Sequence, residues 1–138
     1  MPTYDNHVAL DGKTKDKWGI PVLRFNIKFG DNEKKMCADM LETAQEIFEA
    51  SRIELLEKRT VMLTEGWSVH ELGTARMGTD PKTSVVNQFQ QCHDAKNVFI
   101  VDGSSHVSAS CKNPTWTIMA LAWRSCDHLA SELRKGNV

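Results

Sequence analysis

Leu23, Phe25, Ile27 and Phe29 alternate with Arg24, Asn26 and Lys28, and this run constrains the fold more than any other in the chain. Successive strand residues face opposite ways, so one side of the run is apolar and the other wet. An antiparallel sheet lying over a core meets that requirement. Trp18-Gly19-Ile20-Pro21 leads into the run, and Asn6–Leu10 followed by Asp11-Gly12 reads as an earlier strand ending in a turn. Gly30 breaks the alternation. The spacing of Met36, Met40, Leu41, Ala44, Ile47 and Phe48 then predicts a helix, capped by Asp31, with Asp39, Glu42, Glu46 and Glu49 on its wet face. Its apolar stripe reads as core, with docking of a partner helix as the alternative. Val61-Met62-Leu63 and Trp67-Ser68-Val69 read as short strands.

From His70 the character changes to glycines, small residues and turn formers, through Gly73, Gly78 and Asp80-Pro81. A structureless stretch of this kind reads as a functional loop or a disordered one. Val98–Val101 is a continuous apolar run ended by Asp102-Gly103, as in a buried strand whose carboxyl end reaches a site. Another loop follows. Asn113-Pro114 then opens a last helix, with Asn113 as its cap and Pro114 in the first helical position. Ile118, Met119, Leu121, Ala122, Cys126, Leu129, Ala130 and Leu133 give it a broad apolar face. Trp116 and Trp123 read as packing residues, with approach to a ring as the alternative, and Arg134-Lys135-Gly136 as the helix end.

The length of 138 residues suits one domain. Seventeen Lys and Arg against eighteen Asp and Glu create no net field for nucleic acid or an anionic membrane. No apolar run approaches the roughly 20 residues that span a bilayer. The first eighteen residues are polar, so no signal peptide is visible. The four cysteines are scattered without a CxxC pair, and a metal site built from them with His70, His93 and His106 lacks a recognisable ligand spacing.

Three pieces could carry chemistry. An imidazole such as that of His70 can take a proton from a hydroxyl in one half-reaction and release it in the next. The first turn of the last helix offers unpaired N–H groups and a positive dipole end to an anion or carbonyl oxygen. The Gly103 N–H can meet a phosphate with no side chain in the way. Taken singly, each also reads blandly: a structural histidine, a well-capped helix, a strand-ending turn.

In order, His70-Glu71-Leu72-Gly73-Thr74-Ala75-Arg76-Met77-Gly78, Ser84-Val85-Val86-Asn87, Asn97–Ser104 and Asn113–Ala122 resemble the carboxyl-terminal segment of the glucose–methanol–choline (GMC) oxidoreductases. Lys17–Val22 and the acidic helix are similar to the beginning of that region, so the resemblance covers almost the whole chain. It implies an α+β fold: a substrate domain of antiparallel sheet with packed helices. A strand and long C-terminal helix, about residues 98–138, would belong to the flavin domain. The family consists of flavoenzymes that use FAD to oxidise alcohols, sugars or sterols. By the same resemblance His70 is the base on the substrate hydroxyl, and Asn113 hydrogen-bonds the substrate oxygen. Asp102 and Gly103 contact the ribityl and pyrophosphate portion of FAD, and Pro114 and Thr115 lie beside the pyrimidine end of its ring.

Glu71–Gly78, the Ser-Val-Val-Asn segment and Cys111-Lys112-Asn113-Pro114 look closest to the branch acting on sugars and sugar acids. The expected partners are a small alcohol or sugar, the Rossmann domain of the same enzyme and an electron-acceptor protein. The chain lacks a GxGxxG phosphate fingerprint. It is therefore expected to be the carboxyl-terminal part of a longer enzyme, binding FAD weakly or not at all and turning nothing over alone. A stand-alone interaction or regulatory module derived from the same fold is the alternative, and a metal-dependent hydrolase using the histidines a third reading.

Overall fold

The computed structural model describes residues 3–59 and 64–138. Its elements are strands β1 (His7–Lys15) and β2 (Pro21–Asn26), helices α1 (Asp31–Ala50) and α2 (Thr115–Lys135), and a 3-10 turn at Gly103–Ser105. Two compact units divide them, Asp5–Trp67 and Ser68–Val138. The expected α+β character holds in a reduced form, as one two-stranded antiparallel sheet with two helices.

In the first unit, β1 and β2 pair from His7↔Asn26 to Leu10↔Leu23, and again at Lys15↔Pro21. The strand expected to end at Asp11-Gly12 instead continues to Lys15. The turn chemistry is real but local: Asp11 Oδ1 accepts from the N–H groups of Lys13 (2.7 Å) and Thr14 (2.8 Å), and the register slips there as a bulge. β2 stops at Asn26 because side chains outside the ladder take the next donors. Asn6 Oδ1 accepts from Lys28 N–H (2.9 Å), and Glu65 accepts from Phe29 N–H (2.9 Å). The apolar residues Leu23 and Phe25 remain exposed.

Gly30, not Asp31, is the cap residue of α1; its N–H donates to the Glu33 carboxylate (2.9 Å), the return half of a capping box. No residue of α1 is buried, and Met40 on the predicted core stripe is 64% exposed. Helical periodicity specifies a face that needs cover and says nothing of where the cover comes from, so the core reading of this stripe fails within the chain. Trp67-Ser68-Val69 forms no strand; Trp67 N–H donates to the Thr64 carbonyl (3.0 Å) in a turn, and Trp67 and Val69 are exposed. Val61-Met62-Leu63 lies outside the described residues.

The second unit is loop-rich, as the glycines and turn formers after His70 predict. Isolated bridges Met77↔Val86, Val86↔Cys92 and Gln91↔Phe99 gather it around the fully buried Val86. Val98–Val101 is not a buried strand: Val98 and Val101 are exposed, and Phe99 alone forms a bridge. Cys92 N–H donates to Val98 (2.9 Å) and Ile100 N–H to Gln90 (2.9 Å), while Val98 N–H closes a turn on Ala95 (2.9 Å).

Helix α2 turns Ser125 inward and half-buries Ile118, Leu121, Ala122 and Leu129. His128 stacks on Phe89 with ring centroids 3.9 Å apart. Trp116 and Trp123 are 83% and 74% exposed, so their expected packing is absent within this chain. The predicted helix end is observed: Gly136 takes the left-handed conformation (φ +72°), its N–H donates to Leu133, and Asn137 N–H donates to Glu132. At the start, Pro114 rather than Asn113 holds the cap position, already with helical angles, and no side chain caps the turn. All four cysteines are free, and no helix among the described residues is long and apolar enough to cross a membrane.

Candidate functional site

Three of the segments singled out in the sequence meet at Gly103. The loop after His70 runs alongside the 3-10 turn, with Ala75 N–H donating to the Ser104 carbonyl (3.0 Å) and Met77 N–H to Ser105 (2.9 Å). Gly103 is buried against it. A Cβ added there would lie 2.7 Å from Leu72 Cδ2, 3.2 Å from the Glu71 carbonyl oxygen and 3.4 Å from Ile118 Cδ1. Glycine is what allows this approach. Ile118 in turn donates its N–H to the Pro114 carbonyl (2.9 Å), the first backbone bond of α2. The residues directly following His70, the Asp102–Gly103 turn and the opening of α2 thus share one contact point.

Asp102 organises the turn. Its carboxylate accepts from the Ser104 hydroxyl and from Ser104 N–H (2.8 Å). These bonds, the hydroxyl's first, hold the carboxyl below the usual aspartate range, and desolvation opposes them only in part. A folded-state value below the unfolded one means the turn gains stability above the unfolded value and loses it as the pH falls through the folded one. The Ser104 amide resonance is therefore expected to titrate with a midpoint below that of an ordinary aspartate, and Asp102→Asn to abolish the titration. A midpoint at or above the ordinary value contradicts the pinned turn.

His70 is half-buried, and its N–H donates to Ser68 Oγ (3.0 Å). Asn113 is exposed and caps nothing. Among the described residues no hydrogen bond engages either side chain or joins the two, which leaves the imidazole and the amide available to a ligand. Pro114 is half-buried and Thr115 exposed at the start of α2, where the uncapped N–H groups and the dipole favour negative charge. His106, just beyond the turn, has two buried ring nitrogens without a hydrogen-bond partner among the described residues.

An open cavity of about 580 Å³ lies elsewhere in this unit, lined in part by Phe89, Gln91, Lys96 and His128, and none of the six predicted site residues borders it. Among the described residues no group of three or more His, Cys, Asp or Glu could hold a metal ion. Sequence reasoning missed Gln90, Ser105 and Ser125, a set of buried polar residues behind the turn. The one signal for them is conformational: Gln90 has φ +59°.

Residues 2–122 match the family model of the GMC oxidoreductases, in its C-terminal domain. The chain is similar to a 2-methyl-1,2-propanediol dehydrogenase of Mycolicibacterium austroafricanum, 37% identical over 134 residues that make up 94% of this chain and 23% of the relative. It is also similar to the gluconate 2-dehydrogenase flavoprotein of Pantoea cypripedii, at 30% identity over 94% of this chain and 22% of the relative. The fructose dehydrogenase large subunit of Gluconobacter japonicus is 27% identical over 99% of this chain and 24% of that subunit. The chain thus spans about a quarter of the length of the curated relatives it matches.

Proposed function

The chain belongs to the GMC oxidoreductases, and from that premise we propose that it is the carboxyl-terminal part of an FAD-dependent enzyme that oxidises the CH–OH group of a sugar, sugar acid or other alcohol. The observation that carries this reading is the meeting of the His70 loop, the Asp102–Gly103 turn and the start of α2 at Gly103. Sugars and polyols are the substrate class in the names of a gluconate 2-dehydrogenase, a fructose dehydrogenase and a propanediol dehydrogenase.

The residues fit a flavin. The Asp102–Gly103 turn is pinned through Ser104, and the first turn of α2 lacks a side-chain cap and so keeps donors for a polar ring edge. In this reading Asp102 and Gly103 hold the ribityl and pyrophosphate portion, and Pro114 and Thr115 flank the pyrimidine end. Bound flavin supplies the two-electron acceptor for the oxidation. His70 takes the proton from the substrate hydroxyl, and the Asn113 amide orients the substrate oxygen by hydrogen bonding. The positive end of the α2 dipole favours the negative charge that develops as the carbinol is oxidised. Residues 98–138 contribute to the flavin domain, and the exposed apolar faces of α1 and α2 are covered by the rest of the enzyme.

Flavin content tests this. The full-length protein is expected to carry FAD, with its visible absorption bands, and the 138 residues alone to cause no saturable quenching of FAD fluorescence. A full-length protein that neither retains nor takes up FAD overturns the assignment. Tight stoichiometric binding by the 138 residues overturns the claim that they hold only part of the cradle.

A further inference from the structure

We propose that Gln90 is a positioning residue for the flavin, aiming the Gly103 N–H through a buried hydrogen-bond relay that also ties the Asp102–Gly103 turn to helix α2. The inference rests on the reading of Asp102 and Gly103 as flavin contacts and adds to it a residue that touches no ligand.

The relay runs in one direction. Ser125 Oγ shares its one proton between Gln90 Oε1 (2.7 Å) and the Leu121 carbonyl (3.0 Å), Gln90 Nε2 donates to Ser105 Oγ (2.7 Å), and Ser105 Oγ donates to the Asp102 carbonyl (3.0 Å). Gln90 is fully buried, and Ser105 and Ser125 are each 1% exposed, so no water competes for these groups. The Asp102 carbonyl and the Gly103 N–H belong to one planar peptide unit and point oppositely across it. A bond that fixes the carbonyl therefore fixes the direction of the N–H at the position where phosphate or ribityl oxygen would be met. The Ser105 N–H also donates to this carbonyl (3.4 Å), a longer bond than the hydroxyl's, and Ser104 pins the same turn from the carboxylate side.

The backbone of Gln90 shows what the placement demands. Its φ of +59° is a left-handed conformation that residues other than glycine adopt at a cost. The main chain is held there by Gln90 N–H donating to Asn87 (2.9 Å) and by its carbonyl accepting from Ile100 (2.9 Å). A glycine would relieve the backbone but supply no amide, and an apolar side chain would fill the space without a relay. A glutamine meets both ends at once, with its carbonyl toward α2 and its amino group toward the turn. Stitching a core together could be left to apolar packing; fixing the angle of a chosen peptide requires a donor at Ser105.

The test uses the full-length flavoprotein with Gln90→Leu and Ser105→Ala, and reads the FAD dissociation rate, the flavin absorption spectrum and the melting temperature. Both variants are expected to release FAD about tenfold faster than the wild type, the scale of one lost ligand hydrogen bond, and to shift the flavin bands. Ser125→Ala leaves the Gln90–Ser105–Asp102 bonds in place and is expected to change dissociation less than either. Ser105→Ala carries the test should Gln90→Leu fail to fold. Variants that melt earlier yet match the wild type in dissociation and spectrum reduce the relay to core stitching and overturn the inference alone. A wild-type protein without FAD overturns the functional reading, and the inference falls with it.

Discussion

Replacing His70 with alanine in the full-length enzyme is expected to slow reduction of the bound flavin by alcohol by about 10²–10⁴, the range for loss of a general base. The imidazole stands at the head of the Gly-rich loop, and its ring makes no hydrogen bond among the described residues. Anaerobic stopped-flow absorbance of the oxidised flavin measures the effect. Binding of the substrate, read as the concentration giving half-maximal rate, is expected to change far less, because the proton is lost only as the reaction proceeds. A reduction rate equal to that of the wild type removes His70 from the role of base.

The second large effect is expected at Gly103. Alanine there brings a Cβ to within 2.7 Å of Leu72 Cδ2, which is the tip of a flexible side chain and can turn away. The Glu71 carbonyl at 3.2 Å is backbone and yields less readily. Gly103→Ala therefore needs the Leu72 tip to turn and the Glu71 carbonyl to shift, and is the smaller of two changes. Gly103→Val adds branched atoms toward Leu72, Glu71 and Ile118 together, and is expected to cost about 1–3 kcal/mol through overpacking. Glu71 directly follows His70, so the displaced carbonyl disturbs the base as well. In the full-length enzyme the variant should lose more activity at low temperature than its melting temperature alone explains. A valine variant as stable and active as the wild type contradicts the crowded contact.

Local signals in this chain were readable where the deciding interaction is itself local. The period of two placed β2, but the strand ends at Asn26 and not at the expected Gly30 break, because side-chain acceptors take the N–H groups of Lys28 and Phe29. The helical stripe placed α1, and Arg134-Lys135-Gly136 ended α2 where the left-handed glycine stands. Errors of one residue arose at both helix starts. A reach-back by Glu33 made Gly30 the cap of α1, and proline with helical angles displaced Asn113 from the cap of α2.

Larger misses concern burial, which is not local. Met36, Met40, Ile47, Trp116 and Trp123 all lie exposed. Val98–Val101 has the composition of a buried strand, yet Val98 and Val101 are exposed and only Phe99 forms a bridge among the described residues. Such residues mark faces that cover would stabilise, without saying where cover lies. For the site, the order of the motifs was readable, whereas the crowding of Gly103 against Leu72 and Glu71 was not, because in the sequence glycine reads there only as a turn or as room for a phosphate. The Gln90 relay was not readable, because a glutamine between polar neighbours carries no periodicity and its left-handed angle appears only in three dimensions.

The central claim is that this fold segment completes a site where a carbinol gives up its two electrons. Anaerobic titration of the full-length flavoprotein with a panel of sugars, sugar acids and short polyols tests it most directly. The flavin bands are expected to bleach with at least one member of the panel, and more slowly when the carbinol C–H is replaced by C–D. Bands that dithionite bleaches but every member of the panel leaves intact contradict it.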